Sequence, residues 1–139
     1  DVLTHNIETI RRNFKEVKKF SSYETSLNVL RYARSLKPDV FIKSGFMLGL
    51  GEEVEEIMEL LTDLKEAGCD IITIGQYLRP SVLNLPVKKY YSPEEFEKIG
   101  KLAENMGFEA VVSGIFVRSS YNAVVVFERL LSRRRKIIN

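Results

Sequence analysis

The 139-residue sequence has no tryptophan, one cysteine and one histidine. With Cys69 as its single thiol, the chain cannot close an internal disulfide. Nor can it build a multi-cysteine metal or cluster site by itself. No apolar run is long enough to span a bilayer, and no secretory leader opens the chain. The expected setting is cytoplasmic and away from membranes. A net charge of +2 makes no case for a nucleic-acid partner. The basic run Ser132-Arg133-Arg134-Arg135-Lys136 is local and reads as a solvated tail over 132–139. The composition, 45% hydrophobic and 29% charged, is enough for one core. Residues 1–131 are read as that unit.

Strand and helix patterns alternate along the chain. Asp1-Val2-Leu3 reads as the middle of a strand, with a helical stretch expected from Glu8 to Val17. A second helix starts behind Ser22 as N-cap and runs to Leu36, where Lys37-Pro38 stops it. Val40 to Ser44 reads as a buried strand, and Gly45 to Glu52 as a glycine-punctuated loop. The stretch from Glu53 to Ala67 carries an apolar stripe and ends at Gly68. The β-branched run Asp70 to Gly75 suits a strand covered on both faces. A long polar loop follows from Gln76 to Tyr91. Ser92-Pro93-Glu94-Glu95 opens a helix with a capping box, and Gly107 closes it. Glu109 to Val112 is the last expected strand, and Val124 to Leu131 the last expected helix. Such alternation predicts a parallel α/β array of about four strands. A closed eight-stranded barrel needs roughly 250 residues, so the pattern fits part of a barrel or a small open α/β domain.

In parallel arrays, ligands meet the C-terminal ends of the strands, and the unusual residues gather there. His5, Asn6 and Glu8 follow the first strand. Lys43, Ser44 and the glycine loop belong to the second. Gly75, Gln76, Tyr77 and Arg79 belong to the third, and Ser113, Gly114, Arg118, Ser119, Ser120 and Tyr121 to the fourth. Gly49 and Gly51 are either turn glycines or a ligand loop; a bare G-x-G does not decide. Lys43 in an apolar strand must snorkel out or meet an anion. His5 alone reads as a hydrogen-bonded structural residue. Cys69, at the opposite end of the array, reads as a small buried residue.

The stretches "VLTHNIETI", "KSGFMLGLGE", "ITIGQYLRPS" and "VRSSYNA", in that order and spacing, resemble lipoyl synthase, a radical S-adenosylmethionine (SAM) enzyme family. The resemblance implies a partial (β/α) barrel of TIM type, two 4Fe–4S clusters and SAM. It implies an enzyme, a sulfurtransferase that inserts two sulfurs at the sixth and eighth carbons of an octanoyl group carried on a protein lysine. The partner implied is an octanoylated lipoyl-carrier protein or domain.

On this resemblance Asn6, Glu8, Lys43, Ser44, Gly49, Gly51, Glu52, Gln76 and Tyr77 are expected to face SAM or the active cavity. Ser120 matches a hydroxyl ligand of the auxiliary cluster. Its oxygen is a weaker partner for iron than a thiolate, which suits a cluster dismantled for its sulfur. A helix-capping role for Ser119 and Ser120 is the plainer alternative. Arg118 and Tyr121 flank the serines and take the catalytic positions.

The family's C-x-x-x-C-x-x-C motif and its further cysteine triplet are not in this sequence, and Ile115 stands where the family usually has proline. The expectation is therefore a C-terminal portion of the enzyme that holds no cluster alone, is inactive alone, and self-associates through exposed strand edges. A related sulfur-inserting enzyme resembling biotin synthase fits less well, because of Arg-Ser-Ser-Tyr. A non-catalytic half-barrel that binds ligands or partners is the alternative outside enzymes.

Overall fold

The computed structural model describes residues 2–118, 129–130 and 132–133. Ser119, Ser120, Tyr121, most of the expected last helix and tail residues 134–139 lie outside the described residues.

Among the described residues four strands form one sheet in the order β1-β2-β3-β4, every neighbouring pair parallel. They are β1 (Val2–Thr4), β2 (Phe41–Leu48), β3 (Ile71–Gln76) and β4 (Ala110–Gly114). Between them lie a short 3-10 turn (Arg11–Asn13) running into α1 (Phe14–Val17), then α2 (Tyr23–Leu36), α3 (Val54–Glu66) and α4 (Pro93–Asn105). This is the expected α/β array, compatible with part of a TIM-type barrel.

Strand periodicity separates the two faces of the sheet. Ile42, Phe46 and Leu48 of β2 and Ile72 and Ile74 of β3 turn toward the helices. There they join Leu27, Leu30, Ile57, Leu61, Leu64, Phe96 and Ile99 in the main core. Each fully buried aliphatic side chain contributes about 1.5–3 kcal/mol. On the other face Phe41 and Ile71 pack with Leu130 near the strands' N-terminal ends. Beyond them the inner face carries Lys43, Gly45, Thr73 and Gly75, with far less apolar bulk.

The caps explain where the helices start and stop. Ser22 Oγ accepts the Thr25 N–H at 3.0 Å. Ser92 and Glu95 form the expected reciprocal box at 3.1 and 3.2 Å, with Pro93 at the first turn. Gly68 and Gly107 take the left-handed φ that ends α3 and α4.

Three elements differ from expectation. No helix begins at Glu8, because Glu8 is drawn onto β2: its N–H donates to Gly45 O at 3.0 Å, and its carbonyl accepts Met47 N–H at 2.9 Å. That docking leaves Glu8 at φ 73°, outside helical space. The second strand does not stop at Ser44. It runs to Leu48, because its pairing with β3 continues to Leu48 opposite Gln76. The last strand likewise extends to Gly114, through Ser113.

At the opposite end of the sheet, Arg34 gathers the carbonyls of Gly68, Pro38 and Val40 and pairs with Asp70. Cys69 beside it is 2% exposed. Burial pushes its thiol up to about 12. It is the inert packing residue the sequence indicates.

Candidate functional site

The C-terminal ends of the parallel strands open onto a cleft of about 260 Å³ on the inner face. Asn6 and Glu8, Gly45 and Met47, Thr73, Gly75 and Gln76, and Leu78, Val117 and Arg118 contribute to its walls. The alternation of each strand delivers these positions, since residues 45 and 47 and residues 73 and 75 point to the same side.

Two glycines shape this space. A Cβ on Gly45 would collide with the Thr73 hydroxyl, and one on Gly75 with the Val117 carbonyl. Neither glycine has a positive φ, so close approach, rather than backbone conformation, requires them.

Beside the Thr73 hydroxyl and Gln76, Asn6, Glu8 and Arg118 line the cleft. Asn6 Oδ1 is buried without a hydrogen-bond partner, an uncommon state for a buried acceptor. Burial raises the Glu8 carboxyl above its usual range, partly countered by Lys18. The Arg118 guanidinium donates to the neighbouring Val117 carbonyl at 2.8 Å. Together they give the cleft an orphan acceptor, a carboxyl held toward its neutral form and a cation. Such a set suits a ligand bearing hydroxyls and a carboxylate.

Of the expected site residues that are described, Asn6, Glu8, Gln76 and Arg118 meet at this cleft, and Lys43, Ser44, Gly49, Gly51, Glu52 and Tyr77 do not line it. Ser44 points to the helix side, where its hydroxyl accepts Ile7 N–H at 3.0 Å. Lys43 is on the inner face nearer the strand's start. It is 6% exposed, and burial lowers its pKa. Gly49 and Gly51 both adopt positive φ, 123° and 86°. The Glu52 carboxylate folds back on this turn, accepting Gly49 N–H at 2.6 Å, Leu50 N–H at 3.2 Å and the Tyr91 hydroxyl at 3.1 Å. Tyr77 turns away from the cleft and donates to Leu85 O at 2.7 Å. Tyr121 and Ser120 lie outside the described residues.

Sequence reasoning put Gly75 and the glycine loop that opens at Gly45 on the strand-end rim but did not see them as the cleft floor, and it missed Thr73. The available signal was a glycine at an inward strand position beside a small polar residue on the next strand.

A larger groove of about 1100 Å³ adjoins the cleft through Met47, which lines both. Its walls include His5, Val17, Phe20, Tyr77, Leu83, Leu85 and Pro86. His5 Nε2 lies 3.3 Å from Ser26 Oγ. Burial and then Lys18 lower the His5 pKa, which favours its neutral form. Among the described residues no group of three or more His, Cys, Asp and Glu side chains converges as a metal site. No described helix is long and apolar enough to cross a membrane.

Curated proteins show strong similarity to this chain. It is 54% identical over 119 residues to lipoyl synthase 2 of a Nostoc species, covering 86% of this chain and 40% of that protein. It is 54% identical over 123 residues to lipoyl synthase of Rubrobacter xylanophilus, covering 88% and 38%. It is 46% identical over 137 residues to lipoyl synthase of Staphylococcus carnosus, covering 99% and 44%. The chain thus spans about 40% of the length of these relatives. No family model matches it.

Proposed function

The chain is homologous to lipoyl synthases along most of its length, and on that premise we propose that its inner cleft is the SAM-facing part of such an enzyme. The intact protein is then a radical SAM sulfurtransferase that inserts two sulfurs into an octanoyl group on a lipoyl-carrier protein. The observation that carries this reading is the buried, unpartnered Asn6 Oδ1 at the glycine-floored cleft. A buried acceptor without a partner is costly, and a ligand hydroxyl at this position removes the cost.

The cleft residues fit SAM. Asn6 and Glu8 accept from ribose hydroxyls, and Arg118 meets the carboxylate of the amino-acid end. Gly45 and Gly75 let the Thr73 hydroxyl and the Val117 carbonyl close down on the strands, and together these groups make the floor on which a flat ring would lie. When bound, SAM supplies the hydrogen-abstracting group of the reaction. The contribution of this chain is to orient that cofactor and, through Leu78, Val117 and the narrow walls, to limit water around it.

The described residues do not fit an iron–sulfur cluster. The single cysteine is buried at the far end of the sheet, and no alternative ligand group is present among the described residues. No step through a cluster is derived from them. Ser120 as the hydroxyl ligand of the auxiliary cluster, with Arg118 and Tyr121 beside it, belongs to this proposal on the strength of the matching motif.

The test is product formation by the intact, iron-loaded protein with SAM, a reductant and an octanoyl-lysyl peptide. Mass spectrometry should show the acyl lysine gaining two sulfurs. SAM consumption with no sulfur-bearing product would reject the assignment.

A further inference from the structure

We infer that Gln76 is a positioning residue: its carboxamide fastens both ends of the 77–91 loop and thereby fixes the wall between the inner cleft and the adjoining groove. The fastening is read from geometry alone. Its consequence for turnover rests on the function proposed above.

Gln76 is 3% exposed and closes β3. Its Nε2 donates to Tyr77 O at 3.0 Å and to Lys89 O at 2.9 Å. Its Oε1 accepts Tyr91 N–H at 2.9 Å. One side chain thus joins the departing residue of the loop to two returning ones; all three partners are backbone groups, and the bonds to Tyr77 O and Tyr91 N–H are buried.

The neighbouring turn is built around this clamp. A Cβ on Gly49 would strike both Gln76 Nε2 and the Lys89 carbonyl. Gly49 O accepts Lys88 N–H at 2.7 Å. Glu52, which holds the Gly49 and Leu50 amides, also accepts the Tyr91 hydroxyl. Gly49, Glu52 and Gln76 therefore act together on the loop's root.

Between its fastened ends the loop braces itself. Tyr77 Oη donates to Leu85 O, and Arg79 donates to the carbonyls of Val82 and Asn84. It therefore moves as one body about its root. Leu78 lines the cleft, whereas Tyr77, Leu83 and Leu85 line the groove. A shift at the root displaces both walls together.

The experiment uses the intact protein with Gln76→Glu and Gln76→Met. The first keeps the shape and the acceptor for Tyr91 but sets a carboxylate against two carbonyls. The second removes all hydrogen bonding without adding charge. Hydrogen exchange should rise about tenfold across 78–90, as expected for losing one or two net hydrogen bonds, with β2, β3 and α3 unchanged. In turnover, SAM consumed per lipoyl group formed should rise several-fold, because the Leu78 wall of the cleft and the groove wall shift together. Wild-type exchange in the loop of both variants would overturn the inference. So would a rise spread equally over the loop, β2, β3 and α3, which would mark a general stability role. If the wild-type protein forms no lipoyl product, the function proposed above fails, and the exchange result still decides the clamp.

Discussion

Gly45 stands opposite Thr73 in the β2–β3 register, so close that a Cβ at 45 would enter the Thr73 hydroxyl. Asn6 Oδ1 lies 3.2 Å from the same point. The strand thus gives up a side chain where the cleft needs its floor. Gly45→Ala should cost about 1–3 kcal/mol of stability by overpacking, measured by urea unfolding. It should also block SAM binding at temperatures where the variant is fully folded. A variant that binds SAM as well as wild type would show that the floor is not a ligand surface.

Asn6→Ala separates ligand recognition from folding. Its Oδ1 has no partner to lose in the free protein, and an unpaired buried acceptor is costly, so thermal unfolding should lie at or a few degrees above wild type. SAM affinity should fall about tenfold or less, the value of one hydrogen bond at ~1 kcal/mol. A large drop in melting temperature with unchanged affinity would make Asn6 a structural residue only.

Burial holds the Glu8 carboxyl above its reference value of 4.5. The folded protein therefore binds this proton more tightly than the unfolded chain. The stability it confers is full below pH 4.5 and is lost as pH rises through the raised folded value. Glu8→Gln removes this slope. Unfolding free energies measured from about pH 4 to about pH 7 should shift progressively in favour of the variant. Wild type gaining on the variant over that range would contradict the environment described for Glu8.

Ser120→Ala in the intact enzyme tests the residue role carried by the "VRSSY" motif. SAM cleavage should persist while sulfur insertion is lost, read as deoxyadenosine formed without lipoyl product. Normal lipoyl yield would end the ligand assignment.

The sequence was most legible where structure depends on neighbours close along the chain. Ser22 and Ser92 cap α2 and α4 through bonds three residues away, and Gly68 and Gly107 stop α3 and α4, so local chemistry was enough. It was least legible where a distant strand overrides the local signal. Gly45 looks like the start of a loop, yet β3 pairs past it and needs its missing side chain. Glu8 looks helical, yet β2 captures its backbone.

The candidate site divides the same way. Asn6, Glu8 and Arg118 reach the cleft from the strand ends where polar residues cluster in the sequence. The roles of Glu52 and Gln76 were hidden, because their partner Tyr91 lies 39 and 15 residues away. Ser44 shows the same limit: strand alternation turns it toward Ile7, and only the register reveals which face it takes.

The central claim is that SAM binds on the inner face of the sheet. Calorimetric titration of SAM into the intact, iron-loaded protein tests it most directly, with Gly45→Ala, Asn6→Ala and the surface control Lys101→Ala compared under one condition. The account predicts saturable binding in wild type and the control, weakened binding in Asn6→Ala and none in Gly45→Ala. Equal affinity in all four proteins would place SAM elsewhere and contradict the account.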